Sequence, residues 1–263
     1  MSLPETDTPV RIVSSRVRRP SLPQALAIKM ERLLWGRRAE QWDQEGSAAL
    51  APVVAAVLEE CGARPGMVAV DLGCGSGQVT LPLARECSHV LAVDLSEGAI
   101  ELLKERAEQQ GVGNIDALAQ PIELFDLALE SVDLVVTNYA LHHLRDRDKS
   151  ALVQHSFEWI RPGGRLVIGD MMFGRGVSRE DREVITPKIR SLAKRGASGW
   201  WRILKNAWRF TLRLQEKPLP ASAWETLVQE AGFSQVHLRR VLAEACVLSA
   251  RKPEPNSQPE AAE

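Results

Sequence analysis

The chain has 263 residues, of which 44% are hydrophobic, and its formal net charge is −1. This length and apolar content suit one large α/β domain with an insertion. A net charge near zero argues against a protein that coats nucleic acid along its whole surface, although not against a local basic patch. The four cysteines form no Cys-x-x-Cys pair, so neither a zinc site nor a disulfide framework is indicated. No signal-peptide core and no apolar run of membrane-spanning length is seen, so we expect a cytoplasmic protein without a metal.

The spacing of apolar residues predicts an alternating α/β chain. Residues 1–20 are expected to be flexible, residues 21–252 to form one domain, and residues 253–263, rich in proline, to be a disordered tail. Helices are predicted at 22–34, 38–43, 46–62, 77–87, 97–110 and 147–160, and strands at about 67–72, 89–94, 114–119, 132–138 and 163–169. This alternation is typical of a doubly wound parallel sheet with helices on both faces. Ligands should gather at the carboxyl ends of its strands, where Asp71, Asp94, Gln120 and Asn138 fall.

A glycine-rich turn, Asp-Leu-Gly-Cys-Gly-Ser-Gly at residues 71–77, follows the first predicted strand. Its alternating glycines leave no Cβ between backbone and ligand and permit positive φ, which suits close contact with a nucleotide-like cofactor. A dinucleotide-binding turn would read G-x-G-x-x-G, but Gln78 stands at the third glycine position. An acid, Asp71, precedes the glycines, and no basic residue lies in the turn to meet a phosphate. The turn therefore departs from the dinucleotide pattern.

A second acid, Asp94, ends the next predicted strand about twenty residues later. A carboxylate at this place can accept hydrogen bonds from two ribose hydroxyls. The alternative is an acid at a helix N-terminus beside Ser96, a good capping residue. We favour the ribose role because strand, acid and spacing agree, and Leu95 would then lie beside the adenine.

Two later segments complete an ordered set of four motifs. Residues 132–144 form a strand that ends in Leu-His-His-Leu, and Arg-Pro-Gly-Gly at 161–164 precedes another strand. The set resembles the motifs of class I S-adenosylmethionine (SAM)-dependent methyltransferases of the small-molecule type, and is similar to the ubiquinone and menaquinone C-methyltransferase group. The resemblance covers roughly residues 39–170, and Glu-Ala-Gly-Phe at 230–233 is also typical of the family.

The resemblance implies a seven-stranded, mostly parallel Rossmann-like sheet whose last strand is antiparallel and inserts between its neighbours. The final elements would be a helix at 221–231 and strands at 233–240 and 245–250. It also implies SAM as the cofactor and S-adenosylhomocysteine (SAH) as its product, with the amino-acid end of SAM held at the glycine turn.

The same resemblance suggests individual site residues. Gln120 stands where relatives commonly carry an aspartate that meets the adenine amino group, the alternative being a surface amide. Trp42 stands where relatives often carry a tyrosine facing the cofactor. The expected cofactor-binding residues are Asp71, Gly73, Cys74, Gly75, Gly77, Asp94, Leu95, Gln120, Pro121, Ile122 and Asn138, and the expected acceptor-binding residues are Trp42, Tyr139 and Trp201.

Residues 175–217 differ from the rest of the chain, with twelve Lys and Arg against four Asp and Glu, and with Trp200, Trp201 and Trp208 among them. Two helices are predicted at 178–195 and 200–215, where related enzymes often insert a helical lid over the acceptor. Three interpretations stay open: an apolar stripe packed on the domain, transient contact with a membrane surface or lipid-like acceptor, and RNA binding. We rank nucleic acid as the less favoured partner because no RNA-binding module is attached.

Two adjacent histidines, His142 and His143, follow the fourth strand, near the place that the resemblance gives to the transferred methyl group. An ordinary imidazole pKa near 6.5 suits a general base, so both histidines are candidate catalytic residues, and of the two we favour His143. The alternative is that they shape the pocket without proton transfer. The predicted function is transfer of a methyl group from SAM to an oxygen or carbon of a small, apolar or lipid-linked acceptor. The alternatives are a SAM-binding regulatory or scaffold protein without catalysis, an RNA methyltransferase that uses the basic lid, and a dehydrogenase.

Overall fold

The computed structural model describes residues 39–174, 186 and 217–255, and of residues 39–49 it describes the backbone alone. Several sequence predictions lie wholly or largely outside these residues: the segment before residue 39, the lid helices at 178–195 and 200–215, the side chain of Trp42, Trp201, and the tail beyond residue 255. Among the described helices, none combines the length and the apolar character needed to cross a bilayer.

Helices and strands alternate along the described chain, close to the predicted positions. The helices are α1 (Ala39–Cys61), α2 (Thr80–Glu86), α3 (Glu97–Gln109), α4 (Asp146–Trp159) and α5 (Ala221–Glu230). The strands are β1 (Val68–Leu72), β2 (His89–Asp94), β3 (Ile115–Ala119), β4 (Val132–Asn138), β5 (Ile160–Met171), β6 (Ser234–Arg240) and β7 (Ala245–Arg251). Single 3-10 turns follow β3 and β4 at Ile122–Leu124 and Leu141–His143.

All seven strands form one sheet in the order β3-β2-β1-β4-β5-β7-β6. The first five strands pair in parallel, and β7 pairs antiparallel with both β5 and β6. The predicted seven-stranded topology, with an antiparallel last strand inserted between its neighbours, is confirmed. Because β2 and β4 lie on opposite sides of β1, the chain crosses from one half of the sheet to the other at β1, where doubly wound folds bind ligands.

Strands β1, β2, β4 and β7 are largely buried on both faces, and this explains their nearly continuous apolar sequences. On one face, Val70, Leu72 and Val135 pack with Trp159 and Trp224 of α4 and α5. On the other face, α1 packs against β4, β5 and β7 through Val53, Val57 and their neighbours. The helices on the two faces thus hold the carboxyl ends of β1, β2 and β4 in fixed positions.

Strand β5 is longer than the predicted 163–169 because it begins at Ile160, before the Pro-Gly-Gly segment. Ile160 pairs with Val132, the register then shifts, and pairing resumes between Arg165 and Leu134. A Cβ at Gly164 would lie 2.7 Å from the Asp133 carbonyl oxygen, so the backbones approach too closely for a side chain there. The segment is therefore an irregularity within β5 rather than a turn that precedes it.

Candidate active site

A pocket lies at the carboxyl ends of β1, β2 and β4 and extends to the turn after β3. Residues of the glycine turn line this pocket, and so does Leu50 of α1. The lining residues are Leu50, Asp71, Gly73, Cys74, Gly75, Ser76, Gln78, Val79, Asp94, Leu95, Ser96, Ala99, Pro121, Ile122, Glu123, Asn138, Tyr139, Ala140, His143 and Leu144.

This pocket brings together most of the residues that the sequence suggested. Of the residues expected to bind the cofactor, only Gly77 and Gln120 are missing from the lining. Of the two histidines, His143 lines the pocket and His142 does not. The lining also includes Tyr139 from the expected acceptor-binding residues.

Gly73, Gly75 and Gly77 all have positive φ, of 76°, 52° and 95°, but their surroundings differ. A Cβ at Gly73 would lie 2.2 Å from the Ala140 Cβ, and one at Gly77 would lie 2.4 Å from Leu103 Cδ1. A Cβ at Gly75 would meet no atom within 4 Å. Gly73 and Gly77 therefore allow the turn to pack against the protein, whereas Gly75 leaves open the space that a ligand would fill.

Asp94 ties the end of β2 to the glycine turn. Its Oδ2 accepts the Gly75 N–H at 2.9 Å and its Oδ1 accepts the Ser96 N–H at 2.8 Å. Ser96 itself caps α3 by accepting the Ala99 N–H at 3.2 Å. Burial raises the pKa of Asp94, while the Ser96 and Gly75 N–H groups oppose that rise. Since each carboxylate oxygen has two lone pairs, both oxygens can still accept a hydroxyl from a ligand.

Asp71 is the most deeply buried acid of the pocket, with 1% of its surface exposed. Its Oδ2 accepts a 2.6 Å hydrogen bond from Thr80 Oγ1, while Oδ1 has no hydrogen-bond partner among the described residues. Burial raises the pKa of Asp71 to about 7, and the nearby Asp94 adds to the rise. Asn138 Oδ1, also in the lining, is likewise buried without a partner in the described part of the chain. Such acceptors call for a donor from a ligand.

The raised pKa of Asp71 makes the stability of the ligand-free protein depend on pH. The folded state keeps the Asp71 proton up to about pH 7, whereas the unfolded state releases it near 3.8. The contribution of this group is therefore complete below about pH 4 and is lost as the pH rises through 7. Asparagine does not titrate, so the variant lacks this pH dependence. From pH 5 to pH 8 the unfolding free energy of Asp71→Asn, measured relative to wild type, should therefore rise by about 3 kcal/mol. Urea denaturation of both proteins at the two pH values measures this, and parallel pH profiles would contradict it.

The two histidines after β4 have different surroundings. His142 is 2% exposed, and its Nδ1 lies 2.5 Å from Oδ1 of Asp170 at the end of β5. His143 is the one that lines the pocket, close in sequence to Tyr139, a residue with a positive φ of 52°. Of the two histidines, His143 is therefore the one exposed to the pocket.

After β3, the sequence suggested Gln120 as the polar residue near the adenine amino group. The Gln120 N–H donates to the Asp94 carbonyl oxygen at 2.8 Å, but Gln120 is absent from the lining. Glu123, in the 3-10 turn that follows, lines the pocket instead. The signal that could have identified Glu123 is an acid just after Pro121 and Ile122, two residues expected at the adenine. Within the described residues, no group of His, Cys, Asp and Glu side chains is arranged to hold a metal ion.

Comparison with known proteins agrees with the motifs. A family model described as a methyltransferase domain matches residues 69–164. The chain is 30% identical over 150 residues to phosphoethanolamine N-methyltransferase 1 of Triticum aestivum, a match that covers 56% of this chain but 28% of that protein. It is 28% identical over 184 residues to carboxy-S-adenosyl-L-methionine synthase of Shewanella pealeana, with coverage of 66% and 71%.

Solved structures share the fold at low sequence identity. The Burkholderia thailandensis 1,6-didemethyltoxoflavin-N1-methyltransferase, solved with 1,6-didemethyltoxoflavin and SAH, superposes with a TM-score of 0.62 at 17% identity, over 93% of this chain and 95% of that one. The DhpI–SAH complex gives the same TM-score and identity over 87% and 98% of the two chains. The family model over residues 69–164, the ordered motifs and the sheet topology together support the class I SAM-dependent methyltransferase superfamily for this chain.

Proposed function

We propose that the chain transfers the methyl group of SAM to an oxygen or carbon of a small, apolar or lipid-linked acceptor. The observation that carries the proposal is that one pocket joins two sets of residues. Asp94, Pro121 and Ile122 lie on the β2 and β3 side of the glycine turn, and Tyr139 and His143 lie on the β4 side. A cofactor and an acceptor would thus meet above the end of β1.

The pocket fits SAM in its chemistry. Asp71, whose buried Oδ1 has no hydrogen-bond partner in the described part of the chain, suits the ammonium group of the amino-acid end, next to the open space at Gly75. Asp94 has lone pairs available for two ribose hydroxyls. Leu95, Pro121 and Ile122 offer an apolar surface to the adenine, and Glu123 offers an acceptor for its amino group.

Bound SAM supplies a methyl group on a positively charged sulfur, which is electrophilic without further activation. The work left to the protein is to align the acceptor and to keep water away. Where the acceptor atom carries a proton, His143 would take it on an imidazole nitrogen, since an ordinary imidazole is largely neutral at pH 7 and above. Asp71, Asp94 and Glu123 would complement the positive charge of the cofactor.

The β4 side of the pocket supports an apolar acceptor. Leu50, Tyr139, Ala140 and Leu144 are apolar or aromatic, and no Lys or Arg lies among the described lining residues. An anionic group would find no cationic partner on these walls, so they favour a neutral acceptor. The basic, Trp-bearing segment at 175–217 supports the further proposal that the enzyme makes transient contact with a membrane surface that holds such an acceptor.

A labelling experiment tests the proposal. Purified protein is incubated with methyl-labelled SAM and with separate lipid, quinone, polyketide, sugar and RNA fractions, beside a Gly75→Ala variant as the cofactor-binding control. We expect label in an organic-soluble small molecule with wild type alone. SAM binding without label in any fraction would favour the scaffold alternative, and label in RNA would favour the RNA methyltransferase. Thermal stabilisation by NAD instead of SAM would point to a dehydrogenase.

A further inference from the structure

A buried, hydrogen-bonded pair of side chains, His142 and Asp170, lies next to the residues of the proposed acceptor site. His142 and Asp170 are 2% and 1% exposed, and they join the turn after β4 to the end of β5. The His142 N–H donates to Asp170 Oδ2 at 3.0 Å, and the Met171 N–H donates to Oδ1 at 2.7 Å. Because Asp170 already acts as an acceptor for two backbone groups, the 2.5 Å contact with His142 Nδ1 is assigned as a further bond donated by the ring.

Packing alone does not explain this pair. A buried polar pair contributes little net stability compared with apolar side chains of the same volume, although removing one partner is costly because the other is left without its hydrogen bond. What the pair does provide is a fixed orientation of His142, because one bond to the Asp170 carboxylate comes from its backbone and another from its ring. The turn at Leu141–His143 therefore has a defined orientation relative to β5.

The His142 ring in turn contacts the side chains of two pocket residues. Its centroid lies 3.9 Å from that of His143, with the ring planes tilted by 50°. The Tyr139 ring approaches it edge-on at 6.1 Å. Both Tyr139 and His143 line the pocket, whereas His142 does not. One buried ring thus supports two residues that would meet the acceptor.

The other side of the same turn is held by the chain that returns at residue 217. The Lys217 N–H donates to the His142 carbonyl oxygen at 2.6 Å, and Lys217 Nζ donates to the His143 carbonyl oxygen at 2.8 Å. The fully buried Lys149 of α4 donates to the Lys217 carbonyl oxygen. The turn is consequently fixed from both β5 and α4.

We propose that Asp170 and His142 are positioning residues that hold His143 and Tyr139 at the acceptor side of the pocket. His142 is then not a catalytic residue, because it acts through its neighbours. The effect of the pair on turnover rests on the proposed methyltransferase function, whereas its effect on the positions of His143 and Tyr139 does not. The kinetic consequence of breaking the pair is a loss of turnover without a loss of SAM affinity, because the residues proposed to hold SAM are separate from the pair.

The kinetic test uses two variants at residue 142. In His142→Leu the Asp170 contact is lost, and we expect kcat to fall about 10- to 100-fold while the KM for SAM stays within about threefold. In His142→Asn the amide N–H can replace Nδ1–H and keep the turn bonded to Asp170, so part of the turnover should return, although the ring that contacts Tyr139 and His143 is lost. The matched control is His237→Leu, which removes another His–carboxylate pair, with Glu60 at 3.1 Å, outside the pocket lining. A loss in the Leu variant that His142→Asn fails to rescue would overturn the proposal.

A second measurement does not depend on any acceptor. The chain has five histidines, so selective ¹³C labelling of their rings gives five assignable NMR signals. In folded Asp170→Asn and His142→Leu, we expect the His143 signal and its response to SAH to change, while those of His89 and His155 stay as in wild type. A His143 signal identical to wild type would overturn the positioning role. Absence of methyl transfer by wild type, with a shifted His143 signal in the variants, would instead count against the proposed function alone.

Discussion

Gly75→Ala is expected to abolish SAM binding while the protein remains folded. Its Cβ would stand in open space at a residue that lines the pocket, so it would occupy cofactor volume without striking the protein. The positive φ of 52° adds a backbone cost of about 1–2 kcal/mol, which a domain of this size should tolerate. Isothermal titration calorimetry with SAH, together with thermal unfolding, measures the two effects separately.

Variants at two other glycines separate the effect of occupied cofactor space from the effect of backbone strain. Gly111→Ala has a similar positive φ of 67° and no atom within 4 Å, but lies outside the pocket, so it should show the backbone cost and bind SAH normally. Gly73→Ala would bring its Cβ to 2.2 Å from the Ala140 Cβ, so it should lose both stability and binding. Normal SAH affinity in Gly75→Ala would show that the cofactor does not occupy the space at this turn.

His143→Ala is expected to lower kcat by about 10²- to 10⁴-fold for an acceptor that must lose a proton, with SAH affinity within about threefold of wild type. The reason is that His143 lies on the β4 side of the pocket, away from Asp71 and Asp94, and supplies the imidazole placed to take the proton. Steady-state kinetics with the acceptor identified by labelling, and calorimetry with SAH, provide the measurements.

The conservative variant His143→Gln distinguishes a general-base role of His143 from a role in shaping the pocket. A glutamine fills similar space and keeps hydrogen-bonding capacity, but it is not basic near neutral pH. If proton removal matters, the Gln variant should be nearly as slow as the Ala variant. Unchanged turnover of either variant at saturating acceptor would refute a general-base role.

Much of the fold could be predicted because the central strands are buried on both faces. Such strands need continuous apolar sequence, and β2 and β4 begin and end at the predicted residues. The glycine turn and Asp94 were equally visible, since a backbone that approaches a ligand needs glycine and the carboxyl end of a strand is a fixed place in this topology. Both are properties of local sequence, and spacing along the chain reveals them.

The parts that could not be predicted depend on side-chain direction in short turns and on distant partners. The 3-10 turn at Ile122–Leu124 places Glu123 among the residues that line the pocket, and Gln120 is not among them. The separation of His142 from His143 depends on Asp170, 28 residues along the chain, whose partner no spacing rule indicates. Gly77 matched the motif, yet its contact is with Leu103 of α3, a packing relation that only the folded structure reveals.

The insertion of β7 between β5 and β6 has a consequence for how this protein is made. β5 carries Asp170 and ends at Met171, yet the strand that covers its edge begins only at Ala245, more than seventy residues later. During synthesis the hydrogen-bonding edge of β5 therefore stays open until nearly the whole described chain has emerged. Pairing over such a long separation is slow, and an open edge invites contacts with other chains. The pairing of β7 with β5, which includes Asp170, is thus among the last steps that can complete the described sheet.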